Sequence, residues 1–157
     1  MTEFRIPAGK VYLPPIVDCF DGMSPSWSIS TSPDAEMANS SLTDACGWLD
    51  EGDRPTARPD RGGHYRWQGW IRICKENGLV RSMPRKGCSP DNARCEGFFG
   101  RLKTEFFHGR DWSGVTIGEF IGMLDAYLRW YGGARIKSDL DYRSPMQYRG
   151  DLGLPAA

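Results

Sequence analysis

The hydrophobic pattern changes period after residue 31, and that change limits the fold more than any other feature of the chain. The first thirty residues read as three β-prone segments separated by turns. Thr2–Ile6 is short and β-prone, Pro7-Ala8-Gly9 is a turn, and residues 10–20 are apolar and β-branched. Asp21-Gly22 is a second turn signal, and residues 26–31 alternate as a third strand. From there the period becomes helical. Ser32-Pro33 predicts a helix start, followed by Ala38, Leu42, Ala45 and Leu49 on one face. Residues 56–60 predict a short strand ending at Asp60. Residues 65–77 predict a helix burying Trp67, Trp70, Ile71 and Cys74, which Gly78 ends. Residues 79–83 predict a further strand, and residues 91–108 a helix. The clearest amphipathic helix places Ile117, Phe120, Ile121, Leu124, Leu128 and Tyr131 on one face and closes at Gly132-Gly133. Ser144-Pro145 starts a last short helix. Up to that last short helix, the order β-β-β-α-β-α-β-α-α predicts an α/β fold: a mixed sheet, a three-strand meander then βαβα, flanked by helices.

At 157 residues the chain can bury a real core, and its 12% aromatic content argues against disorder. No apolar run approaches the roughly 18 residues that span a membrane. The first residues lack the apolar segment of a secretory signal, so no membrane association and a cytoplasmic location are expected. The five cysteines are odd in number and form no Cys-x-x-Cys pair, which suggests buried thiols rather than disulfides or zinc. The zero net charge hides an asymmetry. Residues 1–60 hold 4 Lys/Arg against 10 Asp/Glu, and residues 61–157 hold 16 against 10. Between 61 and 110 the count is 11 basic against 4 acidic. Such a segment suits a polyanion, as it also suits a solvated face.

Two segments carry chemistry. One is Asp60-Arg61-Gly62-Gly63-His64-Tyr65, an acid at a predicted strand end before a tight turn. The other runs Ser89-Pro90-Asp91-Asn92-Ala93-Arg94-Cys95-Glu96-Gly97-Phe98-Phe99-Gly100-Arg101-Leu102-Lys103. Thirty-five residues separate Asp60 from Glu96. At about 100° per residue, Asn92, Glu96, Phe99 and Lys103 share one helical stripe. Cys95, Phe98, Leu102 and Phe106 form the neighbouring apolar stripe that would anchor the helix. A carboxylate can hold a divalent metal while a lysine beside it holds a phosphate. Hard oxygen ligands suit Mg2+ or Mn2+, and two such ions can activate an attacking oxygen and stabilise a leaving one. Taken singly, each piece is also what a solvated helix face or an ordinary turn presents.

Jointly, the two segments resemble insertion-sequence DDE transposases of the retroviral-integrase superfamily. The string Ser-Pro-Asp-Asn-Ala-x-x-Glu-Gly-Phe-Phe-Gly-x-Leu-Lys looks like their third-acid motif, and Asp60-Arg61-Gly62-Gly63-His64-Tyr65 like their second. The spacing of 35 is that group's hallmark. The tail Trp130-Tyr131…Arg135-Ile136-Lys137…Ser144-Pro145-Met146-Gln147-Tyr148 is similar to their closing segment. The resemblance implies a ribonuclease-H-like fold, with residues 1–110 as the catalytic core and 111–157 as a C-terminal helical extension packed on it. It implies that Asp60 and Glu96 are catalytic and bind metal, two Mg2+ or Mn2+ ions in the intact family. Lys103 would contact DNA near the reactive phosphate and Asn92 would line the site. Arg85, Lys86, Arg94 and Arg101 would contact the DNA backbone, and His64 would be structural or close to DNA. The implied partners are DNA, meaning transposon ends and target, and other copies of the chain or of a full-length transposase.

The chain departs from that pattern at the first acid, normally in Asp-[apolar]-Thr-x-[Phe/Tyr]. Here Met1-Thr2-Glu3-Phe4 places the expected aspartate immediately before the first residue. Asp18 and Asp21 fall in the second strand and its turn, and neither is expected to replace it. The expectation is a catalytic-core fragment, truncated at its N-terminus and inactive as given. The alternative is a non-catalytic DNA-binding protein or an inhibitor of the full-length enzyme. Asp139-Leu140-Asp141 also departs, standing where Ser-Leu-Gly is usual.

Overall fold

The computed structural model describes residues 1–58, 68–82 and 90–154, with the backbone course alone for residues 90–92. Strands β1 (Thr2–Ile6) and β2 (Gly9–Leu13) form an antiparallel hairpin with Thr2 opposite Leu13 and Ile6 opposite Gly9. Alternation buries Thr2, Phe4 and Ile6 and exposes Glu3 and Arg5. The second strand stops at Leu13 rather than continuing to residue 20. Pro14-Pro15 follows, and two prolines in succession remove the N–H groups that a ladder needs. The third β-prone segment forms no ladder: it pairs with β2 at the isolated bridge Tyr12–Ser30 and with the stretch after β2 at Ile16–Ser26.

Helix α1 (Ala35–Cys46) begins two residues beyond the expected Pro33. The Asp34 carboxylate accepts the Met37 N–H at 2.8 Å, which makes Asp34 the cap. Strand β3 (Thr56–Ala57) pairs in parallel with β4 (Val80–Arg81), and α2 (Gln68–Glu76) lies between them in sequence. Among the described residues the strands thus make two two-stranded sheets. The start of the second predicted helix, with Trp67, lies outside the described residues. Gly78 ends α2 at φ +67, a conformation that favours glycine. Ala38, Leu42 and Cys46 of α1 pack on Trp70 and Cys74 of α2, with Ala57 and Leu79 beside them.

Helix α3 (Pro90–Leu102) passes into a π-helical turn, Lys103–Phe107, where a continuous α-helix to residue 108 was expected. The wider turn lets two consecutive residues serve the core. Phe106 packs on Phe4 and Phe120, and Phe107 stacks on Trp112 at 5.7 Å. Helix α4 (Ile117–Gly133) starts at a Thr116/Glu119 capping box. Helix α5 (Pro145–Asp151) starts at a second, formed by Ser144 and Gln147. The main core joins Phe4, Val11 and Leu13 of the hairpin, Phe98 and Leu102 of α3, and Phe120, Leu124, Leu128 and Tyr131 of α4. Fully burying each such side chain contributes roughly 1.5–3 kcal/mol. Among the described residues no helix is long and apolar enough to cross a membrane.

Of the cysteines, Cys46 and Cys74 are buried as expected, whereas Cys19 and Cys95 are only half-buried and Cys88 lies outside the described residues.

Candidate functional site

The packing of α3 fixes what its faces can do. Phe98, Leu102 and Phe106 are buried as the anchoring stripe, and this turns Glu96 outward to an exposed position. Lys103, two turns on, shares that side of the helix and is half-buried. Its ammonium makes no ion pair with any described residue. Arg94 and Arg101 belong elsewhere. At about 100° per residue they sit roughly 140–160° around α3 from Glu96. Arg94 reaches back to Asp139 at 3.3 Å. Arg101 extends beside Gly97, and its charge acts on Glu105 and Tyr131. Helical spacing along α3 therefore puts Glu96 and Lys103 on one side and Arg94 and Arg101 on another. Asp60, His64, Arg85 and Lys86 lie outside the described residues, as does the side chain of Asn92. Among the described residues no group of three His, Cys, Asp or Glu side chains could hold a metal ion. Glu96 offers the hard oxygen that Mg2+ or Mn2+ prefers, but one carboxylate is not a site for such an ion.

The acids nearest the hairpin are all committed. Glu3 points to the opposite side of β1 from Thr2 and Phe4, where Arg5 and Lys10 each meet it at 3.3 Å. Arg149 of α5 reaches both other acids: its Nη2 is 2.6 Å from Asp18 and its Nε 2.6 Å from Asp21. Asp21 is fully buried and also accepts the Met23 N–H at 2.9 Å. Lys137 is buried beside them, donating to the carbonyls of Asp21 at 2.8 Å and Gly22 at 3.2 Å. Burial pushes its amine down to about 8.

A third cluster had not been expected from sequence. Glu105, on the π turn, accepts hydrogen bonds from the Tyr127 hydroxyl at 2.8 Å and from Arg135 Nε at 2.8 Å. Arg135 Nη2 makes a further short contact to the same carboxylate. These Arg135 hydrogen bonds hold the Glu105 carboxyl below its usual range, and burial raises the Tyr127 phenol well above its own. Arg135 also lies over the Tyr131 ring, 5.3 Å from its centroid. The available signal was Arg135 within the closing segment, but nothing in the sequence names a partner 30 residues away.

These geometries meet a consistent set of relatives. Two family models described as integrase core domain match the chain, one over residues 1–89 and one over residues 96–151. The chain belongs to the integrase core domain family, among the insertion-sequence transposases of the DDE type. It is 54% identical to the probable transposase for insertion sequence element IS1353 of Shigella flexneri, over 98% of this chain and 30% of that protein. It is 35% identical to the putative transposase InsK for insertion sequence element IS150 of Escherichia coli K12, over 99% of this chain and 54% of that protein. A transposase-like protein of Haemophilus influenzae is 36% identical over 95% of this chain and 68% of its own length. The chain thus spans about a third to two thirds of the relatives it matches. In three dimensions it resembles the HTLV-2 integrase catalytic core domain in complex with magnesium. That match has a TM-score of 0.66 at 16% identity, covering 94% of this chain and 90% of that one. The BIV integrase catalytic core domain matches with a TM-score of 0.64 at 11% identity, over 98% and 93%. At such identities the likeness establishes the integrase catalytic-core fold.

Proposed function

We propose that Asp60 and Glu96 are the second and third acids of a transposase catalytic core that cuts and joins DNA strands at transposon ends. The observation that carries this reading is the outward face of α3. Buried Phe98, Leu102 and Phe106 leave Glu96 exposed, with half-buried Lys103 two turns on along the same side, and 35 residues separate Asp60 from Glu96. Glu96 supplies a carboxylate ligand there, and Lys103 holds the DNA phosphate beside it. Bound Mg2+ or Mn2+, two ions in the intact family, would supply activation of the attacking oxygen and stabilisation of the leaving one. Asn92 lines the site, while Arg85 and Lys86 contact the DNA backbone and fix its register. Arg94 and Arg101 face the other side of α3, so any backbone contact they make is remote from the reacting phosphate. Residues 1–110 form the core on a ribonuclease-H-like mixed sheet, with 111–157 as its C-terminal helical extension.

In this reading the 157-residue chain does not catalyse strand transfer by itself, because none of the described acids nearest the hairpin is free to act as the first ligand. Glu3, Asp18 and Asp21 are each held by basic partners away from Glu96's role. Strand transfer with Mg2+ and transposon-end DNA tests this, comparing the chain with a version carrying an aspartate immediately before Met1. Activity is expected only in the extended version. Equal activity in both would defeat the assignment of inactivity.

A second reading draws on Lys103, unpaired among the described residues, and on the 11 basic against 4 acidic residues between 61 and 110. The chain then binds DNA without metal and enters mixed assemblies with the full-length transposase, reducing its activity. Salt-dependent DNA binding is expected, and no binding at low salt would dismiss this reading.

A further inference from the structure

We propose that Glu105 is a positioning residue for DNA binding, which locks the π turn beginning at Lys103 and so aims that lysine at the phosphate. The inference rests on the reading of Lys103 as a phosphate contact. Its basis is the joint geometry of the turn and its clamp. The turn opens at Lys103, whose carbonyl accepts the His108 N–H at 2.7 Å, five residues on. That bond fixes the backbone at the residue carrying the ammonium. An isolated π turn is less favourable than the α-helix it interrupts, so something must hold it. Phe106 and Phe107 hold its apolar side through the aromatic core. Glu105 holds its polar side through Arg135, planar and forked, and through Tyr127 on α4. Arg135 is in turn seated on the Tyr131 ring. Further up α3, Asp139 holds Arg94, so the segment carrying Arg135 and Asp139 braces the helix on the side away from Glu96.

The clamp makes a prediction with an unusual sign. Glu105→Gln removes a negative charge, so charge alone predicts tighter DNA binding. If Glu105 aims Lys103, the same change weakens binding, because it frees the turn and withdraws one cation from the phosphate. The experiment measures affinity for a short DNA duplex between about 50 and 200 mM salt, using the full chain and four variants: Lys103→Ala, Glu105→Gln, the two combined, and Tyr127→Phe. Loss of one phosphate contact produces a drop of about 0.9 in the steepness with which log affinity falls against log salt. Lys103→Ala and Glu105→Gln are each expected to show that drop, and the double variant no further drop. Tyr127→Phe removes one of the clamp's bonds without changing charge, and is expected to fall between wild type and Glu105→Gln. Should Glu105→Gln fail to fold, Tyr127→Phe decides on the same readout. A drop for Lys103→Ala with unchanged or tighter binding for the folded clamp variants would overturn this inference alone. No change for Lys103→Ala would instead overturn the reading of Lys103.

Discussion

Replacing Arg149 with methionine removes the only charged hydrogen-bond donor that the described structure gives the Asp21 carboxylate. Asp21 is fully buried and the Arg149 side chain only 12% exposed. Removing one partner of a buried pair leaves a buried charge behind and costs about 3–5 kcal/mol. The second contact, to a 41% exposed Asp18 side chain, adds at most about 1 kcal/mol. Methionine keeps much of the aliphatic stem, so lost packing is a minor part of the cost. The Met23 N–H still bonds Asp21 and Lys137 remains close, which places the expected loss near 3 kcal/mol, at the low end of the range. Asp21→Asn in the same chain removes the stranded charge while keeping an acceptor for the Met23 N–H. The double variant should therefore be more stable than Arg149→Met alone, a coupling of about 0.5–3 kcal/mol. Urea unfolding followed by tryptophan fluorescence reads both effects as shifts of midpoint at constant slope. A loss below about 1 kcal/mol for Arg149→Met would refute the reasoning. Asp21 would then be able to relax into solvent, and the case that it cannot serve as a metal ligand would weaken with it.

Two further perturbations probe the same closing segment. Lys137 is charged in both states below pH 8, while between its folded value of about 8 and its ordinary 10.5 only the unfolded chain keeps the proton. Stability relative to Lys137→Met should therefore rise across that window, by up to about 3 kcal/mol, and a flat or falling difference in urea midpoints would contradict the burial argument. Asp141 and Tyr142 both adopt left-handed backbone, at φ 51 and φ 59. Asp141→Gly should raise stability by up to about 1 kcal/mol, measured as a higher thermal midpoint, whereas a lower midpoint would show that Asp141 contributes something its backbone strain hides.

What the sequence revealed was local, and what it concealed was long-range. The start of β1, the α4 stripe and the Ser144-Pro145 cap were legible because periodicity and capping chemistry act within one or two turns. The second strand was overextended because its apolar run continues past Pro14-Pro15, although the prolines end its ladder. The Ser32-Pro33 pair signals a cap with the helix starting at Pro33, yet Asp34 caps α1 through the Met37 N–H and the helix starts at Ala35. The π turn could not be read from residues 103–107 alone. It exists because Phe106 and Phe107 both find the core built by β1 and α4. The same limit applies to the ion pairs. Arg149 lies 128 and 131 residues from its two acids, and no spacing rule connects them. The departure at Asp141 was visible as an aspartate where glycine is usual, but its left-handed backbone was not. For the site, the face shared by Glu96 and Lys103 followed from helix geometry. That geometry also separates Arg94 and Arg101 from it, a consequence the motif alone did not bring out.

The central claim is that Asp60 and Glu96 belong to one metal cluster. A crystal structure of the chain grown with Mn2+ tests it most directly. The account predicts both carboxylates within about 7 Å of each other, as ligands of a cluster whose ions sit roughly 4 Å apart. Carboxylates farther apart than that, with the protein folded and Mn2+ present, would contradict it and leave both acids with structural roles in an integrase-like fold.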